Sequence, residues 1–160
     1  MPHFDSTDWD VVPAYVEAQD LRLLEAWTEK LDAEVSTLAH GTLGLRSGDV
    51  WDSQSLRAAE RYFTQDEERA LALREVFTKY LGEGMRRAVD GQWVCLPTAV
   101  DLAGGVGLRP ARSWPWQYLI PVTPLLDVAL EKLSGTVWAD ELASIRSDGP
   151  AWLPLGCQSL

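Results

Sequence analysis

Among the 160 residues, the types and spacing best suited to chemistry fall between Tyr80 and Trp93, which reads Tyr-Leu-Gly-Glu-Gly-Met-Arg-Arg-Ala-Val-Asp-Gly-Gln-Trp. Glu83 stands between Gly82 and Gly84, with Arg86 and Arg87 three and four residues further on. A carboxylate flanked by glycines leaves room for close approach, so Glu83 is the candidate general acid or base of the chain. The same spacing on a helix also favours Glu83–Arg86 and Glu83–Arg87 ion pairs, which would use the carboxylate structurally. Both readings stand at this point. Each glycine inside a helical run costs about 1 kcal/mol relative to alanine, so this segment accepts a local penalty next to clustered charge.

Two further groups invite a binding reading. Gly104-Gly105-Val106-Gly107 precedes Arg109 and Arg112. Amides of a glycine-rich turn can hold an anion and arginine forks add bidentate bonds. No Gly-Lys-Ser/Thr follows, however, and Pro110 occupies the place of the third glycine of a dinucleotide fingerprint. Next to it, Trp114 and Trp116 flank Pro115. Tryptophan and arginine dominate interface hot spots, so Arg86, Arg87, Arg109, Arg112, Trp114 and Trp116 form the candidate binding set. Metal chemistry is not expected. His3 and His40 are far apart, and Cys95 and Cys157 belong to no Cys-x-x-Cys pair. There is no Gly-x-Ser-x-Gly nucleophile elbow, and no cofactor motif is complete.

The elements that must position these residues follow from periodicity. Leu24, Trp27, Leu31, Val35 and Leu38 mark one face of a helix between about Pro13 and Ala39, with His40-Gly41 as its stop. Asp52-Ser53 starts a second helix running to about Phe63. Thr64 with Glu67 fits a capping box for a third, whose stripe of Leu73, Phe77, Tyr80 and Gly84 runs on to Asp90-Gly91. Gln92–Leu96 and Gln117–Pro121 read as strands, with a loop-rich stretch between Pro97 and Pro115. Thr123-Pro124 opens a fourth helix that stops at Gly135, and a fifth spans Thr136 to Arg146. The expectation is a single α+β domain over 1–160, with about five helices packed on a small antiparallel sheet and extended tails at 1–12 and 148–160.

A chain of this length buries about 70% of its unfolded surface and needs no disulfide or metal to be stable. Its net charge is −10, and residues 1–40 carry nine acids against Arg22 and Lys30. That field disfavours nucleic-acid phosphates and acidic membranes and favours basic partners, while solubility alone would account for it equally well. The apolar runs are short and the N-terminus has no signal-peptide pattern, so a cytoplasmic location without membrane contact is expected.

The order Asp52-Ser53-Gln54-Ser55-Leu56, then Tyr80-Leu81-Gly82-Glu83 with Arg86-Arg87, then Gly91-Gln92-Trp93, resembles a loosely defined group of small acidic bacterial proteins of actinobacterial type. The resemblance covers roughly Leu21 to Leu96. Gly84, and Asp90 where another glycine is expected, depart from the pattern. The group implies no settled activity, but similar small acidic domains include immunity proteins that neutralise toxins. The functional expectation is a non-enzymatic domain, of immunity or accessory type, that binds a protein or peptide. The alternative is a small enzyme or small-molecule binder with Glu83 as acid/base beside an arginine-lined anion site.

Overall fold

A computed structural model describes residues 18–95, 106–110 and 120–147. In chain order these form α1 (Ala18–Glu29), α2 (Leu31–Ser36), a π-helical turn (Thr37–Thr42), α3 (Ser53–Thr64), α4 (Glu67–Ala72), α5 (Arg74–Ala88), β1 (Gln92–Cys95), β2 (Val106–Arg109), β3 (Ile120–Pro121), α6 (Thr123–Lys132) and α7 (Val137–Ser147). The α+β class holds, but the described residues contain seven α-helices rather than about five. Both extra helices come from breaks inside expected ones. The first helix is interrupted at Lys30, and the third divides at Leu73, whose φ of −103° and ψ of 7° end α4 and begin α5. Gly41 does not stop the first helix: backbone winding continues to Thr42 in wider turns, and Gly44 takes the left-handed conformation at φ 64°.

Local capping explains the starts of α3 and α4. Asp52 accepts the Ser55 N–H at 2.7 Å and starts α3 as expected. Asp66, rather than Thr64, caps α4 by accepting from Glu68 N at 2.9 Å and Arg69 N at 3.3 Å. The Thr64 hydroxyl instead donates to the Glu60 carbonyl. At α6 the capping position falls on Val122, with no side-chain cap.

The sheet is antiparallel in the order β1-β2-β3. Trp93 pairs with Leu108, and Gly107 with Pro121. The two expected strands therefore do not pair with each other. β2 lies between them, drawn from the stretch that reads as loop because Gly107 interrupts its apolar run. No helix among the described residues is long and apolar enough to cross a membrane.

The central element is α5, which is buried continuously from Phe77 to Met85. Its Phe77 meets Phe63 of α3 at 5.0 Å and Trp138 of α7 at 5.7 Å between ring centroids. Such tilted aromatic pairs add to the area they bury. This helix carries Glu83 into the interior, so the chemistry of the candidate site is decided by what surrounds α5.

Candidate functional site

Two tryptophans close on α5 at its glycines. A Cβ at Gly82 would lie 2.2 Å from the Trp93 ring, and one at Gly84 would lie 2.5 Å from the Trp51 ring. No side chain fits at either position without displacing an indole. The glycines thus allow β1 and the segment before α3 to pack directly on the helix backbone. Trp51 adds a bond from its Nε1 to the Tyr80 carbonyl at 2.8 Å.

Glu83 sits between these contacts with 3% of its surface exposed. Its Oε1 accepts from Arg86 Nη2 at 2.7 Å and Arg87 Nε at 3.1 Å. Its Oε2 accepts from Arg86 Nε at 2.8 Å and Trp93 Nε1 at 3.2 Å. Four donors match the roughly four lone-pair positions of a carboxylate. Burial opposes ionisation here, but the hydrogen bonds from Arg86, Arg87 and Trp93 outweigh it and hold the carboxyl below the ordinary glutamate value of 4.5. Arg86 also donates from Nη1 to the Gly91 carbonyl at 3.3 Å, tying the helix end to the turn before β1. The Arg87 guanidinium lies 4.4 Å from the Trp51 ring centroid.

The network continues into residues that the sequence did not single out. Trp27 of α1 packs on Trp93 at 5.7 Å, and Lys79 Nζ lies 4.7 Å from the Trp27 ring centroid. The Lys79 side chain is 3% exposed and pairs with Glu34 and with Glu75, the latter at 3.1 Å. Burial disfavours its charge, yet the two carboxylates keep its pKa above the ordinary lysine value. The Glu75–Lys79 spacing of four residues was a visible signal. Glu34, forty-five positions away, carried none.

The structure thus brings Glu83, Arg86 and Arg87 together as partners of one another. Arg109 lies on β2, opposite Gln92, and its carbonyl oxygen would be 2.8 Å from a Cβ at Gly91. Gly107 is an interior position of β2, so it forms no part of an anion-binding turn. Arg112, Trp114, Trp116, Gly104 and Gly105 lie outside the described residues. No group of three or more His, Cys, Asp or Glu among the described residues is placed to hold a metal ion.

A separate concavity of about 570 Å³ opens between the α2–π-turn wall and the joint of α4 with α5. Leu38, Leu73 and Val76 supply apolar lining, and Glu34 and Glu75 supply carboxylates. No family model, curated protein or solved structure matches this chain.

Proposed function

We propose that this chain is a non-enzymatic protein-binding domain, of immunity or accessory type, acting on a basic protein or peptide. The observation that carries this reading is the state of Glu83. An acid/base role needs a carboxyl that exchanges protons near neutral pH and reaches a substrate. Glu83 instead accepts four internal N–H donors and is held ionised, which removes the main support for the enzymatic alternative. The net charge of −10 supports a basic partner, because opposite charge accelerates encounter and discriminates against acidic competitors.

The test is affinity capture from the native host with the whole chain as bait, at about 0.05 M and about 0.5 M salt. The expected result is a specific basic protein retained at low salt and weakened at high salt. Recovery of a small molecule with no protein partner would overturn the proposal, as would the absence of any specific protein.

A further inference from the structure

We propose that the groove between the α2–π-turn wall and the α4–α5 joint docks a cationic amphipathic helix of about three turns, supplied by the protein partner. This assignment rests on the protein-binding reading and gives it a site.

The shape of the groove comes from an unusual winding. In an α-helix, residues five apart point about 140° away from each other. The π-helical turn, with its i to i+5 bonding, needs about that many residues for one circuit, so Thr37 and Thr42 both face the groove. Neither hydroxyl has a hydrogen-bond partner among the described residues. The wall they share begins at Lys30, twelve positions before Thr42. At about 1.5 Å per residue this gives a length of about 18 Å, close to the roughly 16 Å of three turns of a docked helix. The concavity is open to solvent along this wall, which suits a ridge of side chains on a macromolecule.

The charge of the occupant follows from the acids. Glu34 and Glu75 share the single ammonium of Lys79, which is buried beneath them. Their side chains remain 38% and 71% exposed, so carboxylate lone pairs stay open to a second cation. Lys30 stands at the far end of the wall. A lysine or arginine on the docked helix completes the Glu34–Glu75 pair, while its apolar ridge covers Leu38, Leu73 and Val76. An acidic or neutral helix desolvates two carboxylates that have only the one ammonium of Lys79 between them, which charge complementarity penalises.

The probe is a synthetic Leu/Lys helix of about sixteen residues, with leucines on one face and lysines on the other, titrated into the isotope-labelled full chain. Amide shifts should concentrate in residues 30–42 and 72–76. A peptide with glutamates in place of the lysines should bind about tenfold more weakly or worse. Ala72→Arg, an exposed substitution that adds bulk and a positive charge to the groove, should weaken the lysine peptide by at least about tenfold. Glu75→Gln should weaken it more than Glu131→Gln, an exposed acid on α6. Shifts confined to other surfaces, equal binding of the glutamate peptide, indifference to Ala72→Arg or no binding at all would each overturn the groove assignment. If the captured native partner binds Ala72→Arg as well as wild type, the groove fails while the protein-binding reading survives. If wild type captures no protein, that reading itself fails.

Discussion

At positions 82 and 84 a hydrogen in place of a methyl group decides how closely two tryptophans approach α5. Helix propensity alone says that Gly82→Ala should stabilise the chain by about 1 kcal/mol. The Trp93 ring, 2.2 Å from the new Cβ, reverses that sign, because its indole must move and its bond to Glu83 goes with it. Overpacking of this kind costs about 1–3 kcal/mol before the lost bond is added. We therefore expect Gly82→Ala to lose about 2 kcal/mol in urea denaturation. Gly48→Ala, where nothing lies within 4 Å, should stay within about 0.5 kcal/mol of wild type. Stabilisation by Gly82→Ala would contradict the packing account. Close docking of α5 on the strand that follows it was legible from the two glycines, since Trp93 stands eleven positions after Gly82, whereas the approach of Trp51, thirty-three positions before Gly84, was not.

Helix ends show a similar division between local and distant causes. Asp52 before α3 and the Glu83–Arg86 spacing within α5 were legible, since both operate over a few residues of one helix. The start of α7 was not. Its Trp138 N–H is capped by Glu60 Oε2 at 2.8 Å, from α3 and seventy-eight positions away. Glu60 is fully buried, and its Oε1 has no hydrogen-bond partner among the described residues. Glu60→Ala should lose about 2–4 kcal/mol, combining a lost cap with unsatisfied helix amides, whereas Glu60→Gln retains an acceptor. Burial pushes the Glu60 carboxyl above its ordinary value of 4.5, against the lowering effect of the Trp138, Val137 and Gly135 amides and with help from Asp140. The folded state then holds this proton more tightly than the unfolded chain. Its contribution is present below the ordinary value and is lost as pH rises through the folded-state pKa. Thermal melts of wild type and Glu60→Gln across that interval should therefore diverge, with Gln gaining relative stability as pH rises. Parallel curves would contradict a raised pKa. The division of two expected helices into four was not legible either, because periodicity marks the apolar face and not the breaks at Lys30 and Leu73.

Across the whole molecule, the charged groups separate into those that hold the fold and those left to the surface. Glu83, Arg86, Arg87 and Lys79 are bound into a network joining α1, α2, α5, β1 and the segment before α3. In the proposed function, the acidic surplus and the carboxylate-rimmed groove serve the partner. The fold class and the Glu83–Arg pairing were readable from the sequence, whereas the groove was not, since its walls come from α2 with a π-helical turn that propensity does not mark and from the distant α4–α5 joint. Glu83, held by four N–H donors, is a structural anion. Direct NMR titration of the Glu83 side-chain carboxyl in the native chain tests it most directly. The account predicts a group that stays ionised from neutral pH downward and takes up its proton only below the ordinary value of 4.5. A midpoint near about 6–7, where a general acid or base operates, would contradict it.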